Sequence, residues 1–170
     1  MLQNWLTPLS TSFLKPFERL PDGYFGKNVI AYRDQIPDLK KVKVALIGIG
    51  DKEANAVREA LYRTVFPFPA GTVADLGNLR KTETSLLIPV VFELLSGKVL
   101  PVLIAGRDDL ARAQFFAYQE AKALVNLVVV DGKFRFGAPD DVYTPILSPV
   151  HPLLFNFGLV GYQAHHAPTD

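Results

Sequence analysis

The chain has 170 residues, and its 18 basic and 17 acidic side chains give a formal net charge of +1. Nucleic-acid-binding domains usually carry a basic excess, so this balance argues against a nucleic-acid partner. No cysteine is present, which excludes disulfides, thiolate metal sites and a cysteine nucleophile. A hydrophobic content of 49% at this length is enough for a domain with a full core.

The N-terminal sequence MLQNWLTPLS has neither the basic start nor the long apolar run of a signal peptide. The longest apolar stretches, such as residues 98–105, are far too short to span a bilayer. The sequence therefore predicts a protein without a membrane partner, and the lack of cysteine fits a cytoplasmic location.

Residues 1–40 form an irregular segment that four prolines interrupt. Each proline removes a backbone donor and biases its predecessor away from helix. Aromatic residues are spread through the same segment, which is typical of chain that packs against other protein rather than of a free linker. We therefore predict an N-terminal arm, residues 1–40, packed on the core of a domain formed by residues 41–170. The aromatic residues of the arm are Trp5, Phe13, Phe17, Tyr24, Phe25 and Tyr32.

From residue 41 onward, apolar strand patterns alternate with helical patterns. Parallel strands need crossover helices, so this alternation predicts an α/β fold with a mostly parallel sheet, a three-layer α/β/α sandwich preceded by the arm. In such sheets, ligands bind at the carboxyl ends of the strands. The predicted strands are residues 42–49, 72–75, 99–105, 126–131 and 153–162, and the predicted helices are residues 53–65, 82–97 and 108–124.

Two details of the helices can be predicted as well. In the first helix, the apolar stripe at helical spacing comprises Ala54, Val57, Leu61 and Val65. Pro89 lies inside the second helix, where proline predicts either a kink or a later start.

Four segments follow one another in an order that resembles the ureohydrolases, the family of arginases, agmatinases and formimidoylglutamases. They are VALIGIG with AVREALYR, ADLGNLR, VLPVLIAGRDDLARAQ and LVNLVVVDGKFRFG. The last three are similar to the family's DLGD strand, its P-[VI]-x-L-G-G-x-H-D strand and its strand ending in D-A-H-x-D. Together the segments cover most of residues 42–137, and the resemblance implies an arginase-like sandwich. Active members use two manganese ions to activate a bridging water, which attacks a guanidinium or formimino carbon.

The resemblance also shows what has changed at the metal-binding positions. The first histidine ligand falls on Arg107, the aspartate of D-A-H-x-D is retained as Asp131, and the following ligands fall on Lys133 and Arg135. An arginine cannot be deprotonated to become a ligand, and one carboxylate does not hold two divalent ions. We therefore predict no catalytic residue, no metal and no cofactor. These positions instead form either a structural ion-pair cluster or a candidate binding site for a small anion: Arg107, Asp108, Asp131, Lys133 and Arg135.

The sequence consequently predicts a ureohydrolase-like domain without catalytic activity and with a structural, assembly or anion-binding role. The expected partners are further copies in a homo-oligomer or a missing C-terminal half, because a half-sheet would leave apolar surface uncovered. The alternative is a hydrolase of arginine, agmatine or formimidoylglutamate that is active only when that C-terminal half completes it.

A second alternative is a nucleotide-binding turn at Gly48-Ile49-Gly50, which follows a strand and precedes a helix. Glu53 stands where the third glycine of such a motif belongs, and its charge and that of Asp51 would repel a pyrophosphate. A simple chain reversal is the favoured interpretation.

Overall fold

The computed structural model describes residues 2–81, 83–133, 136–137, 141–148 and 152–163. The chain divides into two compact units, Met1–Arg107 and Asp108–Asp170. Within the described residues, the first unit holds a five-stranded sheet and the second a two-stranded sheet. No helix among these residues is long and apolar enough to cross a membrane.

The first unit contains short elements in the arm and longer ones after residue 43. Its strands are β1 (Leu6–Thr7), β2 (Ile30–Ala31), β3 (Val44–Ile49), β4 (Val73–Leu79) and β5 (Leu100–Ala105). Its α-helices are α1 (Thr11–Leu14), α2 (Phe25–Asn28), α3 (Asp51–Tyr62) and α4 (Thr84–Ser96), with short 3-10 helices at Leu2–Asn4 and Phe17–Arg19. Pro89 lies inside α4.

The sheet of the first unit has the order β4-β3-β5, with β3 parallel to both of its neighbours. The chain passes from β3 to β4 on one side and then returns to β5 on the other side. Because such crossovers are right-handed, this reversal places α3 and α4 on opposite faces of the sheet. The predicted α/β fold with a mostly parallel sheet and helices on both sides is confirmed.

The arm covers the outer edge of β4. Strand β1 pairs with the end of β4 in the antiparallel sense, and β2 pairs with its beginning in the parallel sense. Gly77 lies between these two paired stretches of β4 and adopts a φ of 74°. The carbonyl oxygen of Thr7 lies where the Cβ atom of any other residue would be. Only glycine fits this close approach. Arm residues also enter the core around Leu46 and Tyr62, namely Leu9, Leu14, Phe17, Phe25 and Val29.

The opposite edge of the sheet is formed by β5, which pairs with no further strand among the described residues. The Leu100 amide donates to the Lys43 carbonyl at 2.8 Å. The backbone N–H and C=O groups of Leu100, and of every second residue after it, therefore point towards β3. Pro101 and Leu103 therefore direct their backbone groups outward, and Pro101 has no N–H there to offer. This edge also exposes the apolar side chains of Leu100 and Val102.

The second unit contains α5 (Leu110–Glu120), β6 (Val125–Val130), α6 (Thr144–Leu147) and β7 (Leu154–Val160). Strands β6 and β7 are parallel and pair from Val125 and Leu154 to Val130 and Val160. Alternate residues of β6 are half-buried and exposed. The exposed face includes Val128 and Val130, which are 63% and 80% exposed, so a large part of this apolar sheet face has no cover within the described residues.

Candidate functional site

The most highly organised polar site in the first unit is a fully buried ion pair between Arg58 of α3 and Asp75 of β4. Arg58 donates from Nε to Asp75 Oδ2 at 2.7 Å and from Nη2 to Oδ1 at 2.9 Å, and neither side chain is accessible to solvent. Asp75 also accepts from the Tyr62 hydroxyl at 2.9 Å and from the Gly77 amide at 3.0 Å. The carboxylate is therefore fully hydrogen-bonded without water.

The remaining donors of Arg58 are also satisfied. Nη2 donates to the Gly77 carbonyl at 2.7 Å, and Nη1 donates to Asn78 Oδ1 at 2.6 Å and to Asn55 Oδ1 at 3.2 Å. Asn78 in turn donates to Asp51 Oδ1 at 2.6 Å, which links the end of β4 to the start of α3. All five N–H groups of the guanidinium thus have partners, as a buried cation requires. We call this group of side chains the Arg58 network.

The Arg58 network lies between α3 and β4, and its Asn78 side chain is near the carboxyl ends of the strands, where a doubly wound sheet usually binds its ligand. The connections after β3 and β4 lead to opposite faces, and the crevice between the carboxyl ends of such strands is the usual ligand site. Here Gly48, near the end of β3, packs directly against the network. A Cβ at Gly48 would meet Asn78 Oδ1, and would lie 2.6 Å from Arg58 Nη1 and 2.7 Å from the Ala54 Cβ. The side chains of Asn78, Arg58 and Ala54 therefore leave no room for even a methyl group at Gly48.

Tyr62 is part of both the Arg58 network and the aromatic core. Its ring contacts Phe17 edge-on at 5.0 Å between centroids, and stacks on Phe25 at 6.0 Å. Burial, together with the negative charge of Asp75 and the hydrogen bond to it, raises the pKa of Tyr62 well above its ordinary value of 10.0. The hydroxyl therefore stays protonated and keeps donating to Asp75.

The structure corrects two of the four residues in the predicted apolar stripe of the first helix, whereas Ala54 is buried and Leu61 packs against the core as predicted. Val57 is 51% exposed and Val65 is 72% exposed, whereas the buried residues of α3 are Ala54, Arg58 and Tyr62. The helix is therefore rotated so that its buried face carries an arginine. This site was not predicted from the sequence, although Arg58 is spaced four residues from both Ala54 and Tyr62 and could have been assigned to that face.

The residues of the predicted anion site do not all belong to one unit. Arg107 follows β5 at the end of the first unit and is exposed, whereas Asp108 begins the second unit. Asp131 and Lys133 follow β6, and the Lys133 amide donates to Asp131 Oδ1 at 3.0 Å in a local turn. Arg135 lies outside the described residues. The cluster that the sequence analysis proposed thus stays a prediction.

The Gly48-Ile49-Gly50 segment has the geometry of a chain reversal. Gly50 adopts a φ of 81° immediately before α3, a conformation that glycine takes without strain. The first turn of α3 carries Asp51 and Glu53, so its N-terminus already has two negative charges. A phosphate would be repelled there, which supports the interpretation as a turn.

In the second unit, Asp141 organises the turn before α6. Its carboxylate accepts from the amides of Gly137, Tyr143 and Thr144 at 2.8–3.0 Å, and from the Thr144 hydroxyl. Partial desolvation acts to raise the pKa of Asp141, but these hydrogen bonds outweigh it and lower the pKa from 3.8 to about 2.

Asp141→Ala is therefore expected to destabilise the second unit by about 1 kcal/mol at neutral pH, as the loss of a capping side chain does. Because folding lowers the pKa, the stabilisation is complete above the ordinary pKa near 3.8 and is lost as the pH falls towards about 2. Urea unfolding followed by circular dichroism at several pH values measures this. A difference between wild type and variant that does not shrink in acid would contradict the assignment.

Fold and site together define the first unit as a doubly wound α/β unit with a buried ion-pair network between α3 and β4. No family model and no curated protein matches the sequence. Among solved structures, the chain is similar to the agmatine ureohydrolase of Thermoplasma volcanium, with 17% identity and a TM-score of 0.48. The match covers 76% of this chain and 49% of that one, so the chain spans about half the length of that enzyme. A likeness at this level assigns neither a family nor an activity.

Proposed function

We propose that this chain is a ureohydrolase-like α/β domain that has lost the binuclear manganese site and acts in assembly rather than in catalysis. The observation that carries the assembly role is the edge of the five-stranded sheet at β5, which pairs with no further strand among the described residues and exposes Leu100 and Val102. The loss of the manganese site rests on the residues at the family's metal-binding positions. The buried pair of Arg58 and Asp75 does not bear on it, because Asp75 belongs to the DLGD-like strand that active members share.

The residues at the family's metal-binding positions do not fit a pair of manganese ions. Three of the four positions carry cationic side chains, Arg107, Lys133 and Arg135, and neither a guanidinium nor an ammonium donates a lone pair to a metal. The retained Asp131 already accepts a hydrogen bond from the backbone of Lys133. No hydrolytic step through a metal-bound water can therefore be derived for this chain.

The two sheets support the assembly role. One edge of the five-stranded sheet is covered by the arm, whereas the edge at β5 exposes Leu100 and Val102. Proteins cover or blunt open edges because unpaired strands associate with others, and at this edge Pro101 interrupts the row of outward backbone donors. We propose that further strands complete it, supplied by other copies of the chain in a homo-oligomer.

The proposal predicts that the chain associates and releases no product from ureohydrolase substrates. Light scattering should give a dimer or a larger species, and Val102→Lys should shift it towards monomer because a charge at an open edge opposes strand pairing. Val57→Lys, a similar change on the exposed side of α3, serves as the matched control and should leave association unchanged.

Incubation with manganese and arginine, agmatine or formimidoylglutamate should release no urea, ammonia or formamide. Release of any of these products by the chain alone would contradict the loss of catalysis. A strictly monomeric wild type would contradict the assembly role.

A further inference from the structure

The arm contains a cavity that belongs neither to the Arg58 network nor to the open edge. It has a volume of about 360 Å³, and its lining includes the apolar side chains of Leu14 and Val29 and the charged side chains of Glu18, Lys27 and Arg33. Leu14 and Val29 are buried members of the main core, so the apolar part of the lining is held rigidly. Small-ligand sites typically combine such an apolar surface with a few convergent polar groups.

The two cations at this cavity are fixed by the same acidic residue. Arg33 donates from Nη1 to Glu18 Oε1 at 2.7 Å, and Lys27 donates from Nζ to the Glu18 carbonyl at 3.1 Å. Glu18 therefore holds both positive groups at one side of the cavity. Because Glu18 carries one negative charge and Lys27 and Arg33 one positive charge each, the three side chains together have a formal charge of +1. Guanidinium and ammonium groups arranged in this way favour a carboxylate.

Strand β2 adds backbone groups to the same cavity. The Tyr32 amide donates to the Asp75 carbonyl at 2.8 Å, and Ile30 and Ala31 are in register with Ala74 and Asp75. In this register the backbone hydrogen-bonding groups of Ile30 and Tyr32 point towards β4, so the N–H and C=O of Ala31 point away from it. Ala31 lines the cavity on that side. A strand edge of this kind pairs with an amide group.

We propose that this cavity binds a carboxylate that carries an adjacent amide and a short apolar side chain. The carboxylate contacts Arg33 and Lys27, the amide pairs with the backbone of Ala31, and the apolar part rests on Ile30, a half-buried apolar residue of the lining. This chemistry is shared by free N-acyl amino acids and by the carboxyl terminus of a peptide.

Calorimetric titration of the full chain with N-acetyl-valine tests the proposal. Saturable binding is expected, with loss of at least about tenfold in affinity for N-acetyl-valine amide, which lacks the carboxylate, and for isovalerate, which lacks the amide. A peptide ending in valine distinguishes the two sources: tighter binding than N-acetyl-valine assigns the site to a peptide terminus, and equal or weaker binding assigns it to the free acid.

Arg33→Ala and Lys27→Ala should each weaken binding of N-acetyl-valine by about tenfold or more. Arg19→Ala removes the same charge from another exposed arginine of the arm that does not line this cavity, and should leave binding unchanged. Thermal unfolding of each variant verifies that it is folded. No saturable binding by the wild type, equal binding of the amide, or equal loss in the Arg19 variant would overturn the proposal.

Discussion

Replacing Arg58 with methionine is expected to lower the free energy of unfolding of the first unit by about 3–5 kcal/mol. The substitution keeps much of the side-chain volume but leaves the Asp75 carboxylate buried without its cation. It also leaves the Gly77 carbonyl and the Asn78 amide oxygen without their donor. The cost of such uncompensated burial exceeds that of losing the contact itself.

Urea unfolding followed by the fluorescence of Trp5, the single tryptophan of the chain, measures this effect in the first unit. The matched control is Glu59→Gln, which removes an exposed ion pair with Arg63 from the same helix. That substitution should lower the free energy of unfolding by no more than about 0.5 kcal/mol. A similarly small effect of Arg58→Met would mean that the guanidinium is not buried against Asp75.

The second large effect is expected for Gly48→Ala, at about 3 kcal/mol of lost stability. A methyl group at this position would meet Asn78, Arg58 and Ala54 at distances that no relaxed structure tolerates. All three neighbours are fixed, two by the Arg58 network and one by α3, so none can move away without breaking hydrogen bonds or packing.

Thermal unfolding followed by circular dichroism tests this prediction. Gly158→Ala provides the control, because Gly158 also lies within a strand but has no atom within 4 Å of an added Cβ. It should leave stability unchanged or raise it by about 0.5 kcal/mol. Equal effects of the two substitutions would show that β3 does not pack against the Arg58 network.

The order of strands and helices could be predicted because apolar periodicity sets it locally. The strand at residues 99–105 and the helix at residues 108–124 were found within a few residues of their predicted ends, at Leu100–Ala105 and Leu110–Glu120. The two-part edge formed by β1 and β2 was not predicted. Each of these strands has only two residues, too few to show a period of two.

The buried face of α3 was predicted only in part, because the apolar stripe was assigned without considering a polar partner. Ala54 is buried and Leu61 packs against the core as predicted, but Val57 is exposed and Arg58 is buried. An isolated arginine would not be buried, but one that finds a carboxylate and three further acceptors is. That partner, Asp75, lies 17 residues away on another element, so only the folded structure brings the two together.

The central claim, that the manganese site has been lost, is tested most directly by calorimetric titration of the intact chain with Mn²⁺. The wild type should show no saturable binding, and its heats should equal those of Asp131→Asn, which lacks the one retained carboxylate. Stoichiometric binding of two ions per chain by the wild type, abolished by that substitution, would contradict the account.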